Sequence, residues 1–119
     1  LDPREAEYHY KLALGWNEAG NLGKTVNSLV RAVQLNPRHA RSWYNLGLAR
    51  NSMNQPEAAI AALLKAESVS PNDPDPPYAR ATILRNMRRM PEAIQAAQRA
   101  VEIQPGYRPA LQFLQELGL

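Results

Sequence analysis

The chain has 119 residues, enough for one modest core, and its 45% hydrophobic and 21% charged residues are an ordinary globular mixture. Its 14 Lys and Arg stand against 11 Asp and Glu, and a net charge of +3 is too small to argue for a nucleic-acid partner by itself. The absence of cysteine excludes disulfides and thiolate metal sites, and no apolar run is long enough to cross a membrane as a helix.

Apolar spacing and turn residues predict seven helices in chain order. The first covers Arg4–Ala19 and the second Leu22–Leu35, with Gly20 and Gly23 marking the turn between them. The third covers Arg38–Met53. The fourth, Pro56–Val69, places Pro56 in a first turn, where a missing N–H costs nothing. The fifth, Pro77–Met87, follows Pro74 and Pro76, which confine its start to a first turn. It is expected to be short and to pack weakly on the preceding unit, with Arg80 laying its stem over the core. The sixth covers Pro91–Ile103. The last, Arg108–Leu117, carries Ala110, Leu111, Leu114 and Leu117 on one side, and Gly118 is its stop signal.

These elements repeat. Pro3, Pro37, Pro71 and Pro105 are each 34 residues apart, and the residues two places before them are Leu1, Leu35, Val69 and Ile103. Val26, Ile60 and Ile94 keep the same period, as do Ala32, Ala66 and Ala100. Several series in one register define an internal repeat. Leu1-Asp2-Pro3 reads as the tail of a preceding unit, so the chain is expected to be a piece of a longer protein. A targeting signal or catalytic domain then belongs to the remainder, and the compartment stays open.

Within RSWYNLGLAR, Trp43, Leu46, Gly47 and Arg50 stand at fixed spacing, and Ala59, Leu63 and Pro71 continue the pattern. This stretch resembles the tetratricopeptide repeat. The resemblance extends over residues 1–119 as a single domain. Residues 1–3 are the preceding tail, 4–37, 38–71 and 72–105 are three repeats, and 106–119 form a capping helix. His9 and Pro77 replace the expected Trp, and Thr25 replaces the expected first Ala of the second helix. The resemblance implies an all-α fold, a right-handed superhelix or α-solenoid of three helix–turn–helix units plus a cap. It also implies a concave groove that binds segments of other proteins, and no shared enzymatic activity.

Residues turn by about 100° along a helix. Arg41, Tyr44, Leu48, Asn51 and Ser52 therefore share one side, which the resemblance assigns to the concave surface. Their equivalents are Glu7, Tyr10, Leu14, Asn17 and Glu18, then Asp75, Tyr78, Thr82, Arg85 and Asn86. Three rows result: Tyr10, Tyr44 and Tyr78; Leu14, Leu48 and Thr82; Asn17, Asn51 and Arg85. Tyrosine offers flat apolar area with a hydroxyl, and asparagine carries both donor and acceptor for a peptide backbone. Asn45 adjoins the rows. Tyr before Asn and Leu-Gly also belongs to the repeat's own pattern, so the tyrosines read either as ligand surface or as repeat pattern.

Some family members clamp a chaperone's C-terminal carboxylate with Lys, Asn and Arg. The matching positions here are Tyr10, Leu14, Asn45, Asp75 and Ala79, and only Asn45 agrees. No such clamp is expected, and the expected ligand is a protein or peptide segment of unspecified identity. Catalytic residues, metal ligands and cofactors are all expected to be absent. His9 is expected to be packed and His39 exposed, with no Ser or Cys nucleophile beside either. Arg80, Arg85, Arg88 and Arg89 concentrate charge, but Glu92 and Glu102 follow and no nucleic-acid motif is present, which argues against nucleic acid. The alternative functions are self-association or a spacer role within a larger protein. Exposed ends around Leu12, Ala13, Phe113 and Leu117 would drive the self-association.

Overall fold

The computed structural model describes residues 2–119, so Leu1 and its place in the aliphatic series lie outside the described residues. Seven helices and no strand occur among the described residues. The fold is of the all-α solenoid type. α1 (Pro3–Glu18), α2 (Leu22–Leu35), α3 (Ala40–Ser52) and α4 (Pro56–Val69) form one compact unit. In it α1 packs on α2, α2 on α3 and α3 on α4. α5 (Asp75–Asn86), α6 (Met90–Ile103) and α7 (Arg108–Glu116) form a second unit, with α6 packed on both α5 and α7.

The turns inside the helix pairs repeat atom for atom. Gly20, Asn54 and Arg88 have φ of 78°, 60° and 62°. After each, a backbone N–H reaches back to close the helix end: Asn21 to the Trp16 carbonyl, Gln55 to Arg50 and Arg89 to Leu84, all at 2.9 Å. Gly118, with φ of 79°, ends α7 in the same way through Leu119 and Leu114. This is the left-handed cap that satisfies the last free carbonyls of a helix. Gly20 and Gly118 mark it in the sequence. Asn54 tolerates the conformation and Arg88 is strained there. Gly23 lies inside the first turn of α2, where Asn21 caps the helix by accepting from Lys24 N–H.

Helix starts explain where the expected boundaries shift. Asp2 accepts from the Arg4 side chain and backbone N–H, which holds its carboxyl below the usual range and starts α1 at Pro3. α3 begins at Ala40, later than expected, because the Arg38 N–H is taken by Asn36 and His39 caps the helix. α5 begins at Asp75, earlier than expected. Its first N–H bonds Asp73 Oδ1 at 2.9 Å, Pro76 and Pro77 bring no N–H, and Tyr78 N–H reaches the Pro74 carbonyl. The proline run therefore leaves no orphaned donor. At 12 residues, α5 is shorter than the 16-residue α1 and the 13-residue α3, and Arg80 is half-buried as expected.

The core is made of small residues against aliphatic ones. Ala32, Ala66 and Ala100 are buried, as are Thr25, Ala59 and Ala93 one helix row away. Ala13, Gly47 and Ala81 occupy the facing row, all buried. At Gly47 a Cβ would stand 2.7 Å from Leu63 Cγ and 3.1 Å from the Ala59 carbonyl oxygen. Trp43 packs against the first unit's core, and its Nε1–H donates to the Pro37 carbonyl at 2.8 Å.

Two outcomes follow for stability. Gly47→Leu, which drives a side chain into Leu63 and a backbone carbonyl, lowers stability by about 1–3 kcal/mol or more in chemical denaturation. An unchanged midpoint would contradict the close contact of α3 and α4. Arg88→Gly relieves a left-handed residue and raises stability by roughly 1 kcal/mol, the strain released exceeding the entropy lost. A lower midpoint would contradict the strained turn.

Candidate functional site

Between α1 and α3 lies a cavity of about 240 Å³. Ala13, Leu14 and Asn17 line it from α1, Thr25 and Leu29 from α2, and Asn45, Leu48, Ala49 and Ser52 from α3. Five of the residues expected in or beside a binding surface are thus brought together: Leu14, Asn17, Asn45, Leu48 and Ser52. The floor, Thr25 and Leu29, was not anticipated. The one sequence signal for it is Thr25 standing where the repeat expects Ala. Thr25 is buried and donates its hydroxyl to the Asn21 carbonyl at 2.8 Å, which satisfies its polar group. Leu14 and Leu48 are 41% and 39% exposed.

Tyr10 and Tyr44 are placed differently. Tyr10 packs against the unit's core and its ring meets His39 at 5.1 Å. The Arg41 guanidinium lies 5.0 Å from the centre of the Tyr44 ring, a cation–π contact. Asn51 is half-buried and does not line the cavity.

His39 was expected to be exposed, but its side chain is only 16% accessible. Nε2 lies 2.8 Å from Glu7 Oε2, and Nδ1 lies 2.8 Å from Ser42 Oγ and accepts from Ser42 N–H at 3.3 Å. One imidazole therefore caps α3 and ties it to α1. A serine does stand beside a histidine, contrary to expectation, and a carboxylate completes the series. Yet Ser42 is 0% exposed, and a nucleophile has to reach its substrate. The other histidine, His9, is half-buried with its ring edge-on to Tyr8, in keeping with a packed residue.

The second unit repeats this tie with other chemistry. Tyr107 donates its hydroxyl to Asp75 Oδ1 at 2.5 Å, and its ring meets Tyr78 at 5.9 Å. Glu7–His39 and Asp75–Tyr107 have the same separation of 32 residues. In both, a ring from the loop after a helix pair binds an acid and an aromatic of that pair's first helix. Thr82 donates to the Ala79 carbonyl. Arg85 turns to α7, 4.8 Å from the Phe113 ring centre and 3.7 Å from Glu116 Oε2. Its charge is thus partly offset within the unit.

The expected sticky ends also need correction. Ala13 belongs to the first unit's core and Phe113 is 2% exposed beneath Arg85, so neither is open surface. Leu12 and Leu117 are half-buried. No group of three or more potential metal-ligating side chains occurs among the described residues, and none of their helices is long and apolar enough to cross a membrane.

The family model described as tetratricopeptide repeat matches residues 40–73 and 78–107, more than half of the chain. The chain belongs to the tetratricopeptide repeat family. Among solved structures it is similar to MamA, with 28% identity over 92% of this chain and a TM-score of 0.84. It spans 64% of that MamA chain. The first tetratricopeptide repeat domain of Spaghetti (RPAP3), bound to the HSP90 peptide SRMEEVD, shares 14% identity over 99% of this chain and 94% of its own, with a TM-score of 0.90. YrrB, described as having an unusual peptide-binding site, shares 18% identity over 93% of this chain and 57% of its own, with a TM-score of 0.87. The last two likenesses show the fold alone. No curated protein matches the chain.

The double role of His39 gives a graded expectation for this tetratricopeptide repeat chain. His39→Ala removes the cap and the tie to Glu7, and costs about 1–2 kcal/mol in urea unfolding. His39→Asn restores a cap and recovers part of that loss. Equal stability of the two variants would mean that the cap contributes nothing.

Proposed function

We propose that this chain is a non-catalytic protein-binding module, receiving an extended segment of another protein on the open sides of its first-in-pair helices. The carrying observation is the cavity between α1 and α3, where apolar Leu14 and Leu48 adjoin the amides of Asn17 and Asn45. Such amides can pair with both N–H and C=O of a peptide, and the leucines supply area to desolvate it. In this reading Tyr10, Arg41, Tyr44 and Asn51 flank the site on the first unit. Tyr78, Thr82 and Arg85 occupy the equivalent rows of the second. The chain is read as one domain of three repeats, residues 4–37, 38–71 and 72–105, with 106–119 as the cap.

The Spaghetti domain's acidic peptide does not suit these rows. The positions where a carboxylate clamp needs cations hold Tyr10, Asp75 and buried Ala79, Leu14 stands where it needs an amide, and Asp75 already accepts from Tyr107. A second reading, self-association, rests on the opposite face of α1. There Tyr8, Lys11, Leu12, Gly15, Trp16 and Ala19 line an open groove of about 410 Å³, with Tyr8 largely exposed.

The test compares the wild-type chain with Tyr44→Ala/Asn45→Ala on an array of eight-residue peptides, with circular dichroism to confirm that both are folded. Losing one aromatic contact and one amide weakens the retained peptides by about tenfold or more in fluorescence anisotropy. Retention unchanged by the variant would move the binding surface elsewhere, to the Tyr8–Trp16 face first.

A further inference from the structure

The cavity between α1 and α3 has a chemical character of its own. None of its lining residues is ionisable. A carboxylate or ammonium group entering it would leave water without a charged partner, which is costly. Leu14, Leu29 and Leu48 line it beside Thr25, whose hydroxyl is already bonded to the Asn21 carbonyl, and its other polar groups are the neutral amides of Asn17 and Asn45 with the Ser52 hydroxyl. A volume of about 240 Å³ exceeds the ~150 Å³ that holds a benzene ring in an engineered protein cavity, so one leucine- to phenylalanine-sized side chain fits.

Charge flanks the cavity: Glu18 follows Asn17 on α1 and is exposed, and Arg41 precedes the cavity's residues on α3. Arg41 stands one helical turn before Asn45 on α3, about 6 Å along the axis, and its guanidinium is held over Tyr44. The nearest acid on the neighbouring row, Glu7, faces His39 at 2.8 Å. Measured from the Asn45 edge of the cavity, about 6 Å corresponds to about two residues of an extended chain lying along α3.

Building on the groove reading, we infer that the ligand is an extended peptide with one uncharged apolar side chain in this cavity and an acidic residue two positions away, opposite Arg41. The apolar residue is the anchor, because it alone is desolvated. The acidic residue sets direction and register along α3, through a contact weakened by salt.

The test uses immobilised eight-residue peptides in a Gly-Ser background. The fourth position is Leu, Met, Phe, Ala, Lys or Glu, and the second or sixth is Glu, Gln or Lys. With the wild-type chain, Leu, Met or Phe retains roughly tenfold more protein than Ala or Lys. Glu at one of the two flanking positions, and not the other, adds a severalfold gain that fades at high salt. Leu48→Glu abolishes the apolar preference, and Leu14→Gln does so independently should the first variant misfold. Arg41→Gln abolishes the acidic preference and keeps the apolar one. If peptides are retained, and weakened by Tyr44→Ala/Asn45→Ala, but show no apolar preference, this inference is overturned while the groove reading stands. If the folded chain retains no peptide, both fall.

Discussion

Everything in the first unit depends on how closely α3 approaches α4 at Gly47. A single methyl group there would meet Leu63 and the Ala59 carbonyl oxygen, so the absence of a side chain sets the distance between the two helices. The row to which Gly47 belongs, with Ala13 and Ala81, stays small in every repeat, and the rows facing it are filled by Leu29, Leu63 and Ala97. Small against leucine, repeated after 34 residues, holds in the first two helix pairs, and in the third Ala81 and Ala97 make the contact small against small.

Two local devices hold this packing in register. The left-handed turns at Gly20, Asn54 and Arg88 redirect the chain within each pair at equivalent positions of the repeat. The ties from His39 to Glu7 and from Tyr107 to Asp75 fasten the next loop back onto the pair's first helix. These ties use one acid from the open row and one edge of a row tyrosine. Tyr10 and Tyr78 therefore serve the scaffold as well as the surface. Tyr44, set under Arg41, is the row's tyrosine most committed to charge.

The fold was legible because its signal is periodic. Prolines, alanines and aliphatics at one spacing define the pairs, and the ends of α2 and α4 fall where they were expected. Less legible were features set by contacts between residues far apart in sequence. His39 looked like a loop residue. Only the structure shows its ring between Glu7 and Ser42, because nothing local to His39 records Glu7. Arg88 conceals a left-handed turn, since its residue type argues against that conformation. Phe113 looked like an exposed edge and is covered by Arg85, itself expected in a binding row. Of the candidate site, Leu14, Asn17, Leu48 and Ser52 shared a side by helical spacing, the family resemblance assigned that side to the surface, and Asn45 came from the resemblance alone. The floor could not, because Thr25 and Leu29 come from a different helix.

The central claim is that the cavity side of α1 and α3 is where another protein's segment is received. The most direct measurement is a two-dimensional NMR spectrum of the isotope-labelled chain, titrated with a peptide retained on the eight-residue array. The account predicts shifts concentrated at the amides of Leu14, Asn17, Asn45, Leu48 and Ser52, with the two asparagine side-chain amides among the largest. Shifts confined to Tyr8, Lys11, Gly15 and Trp16, with the cavity residues unmoved, would contradict it.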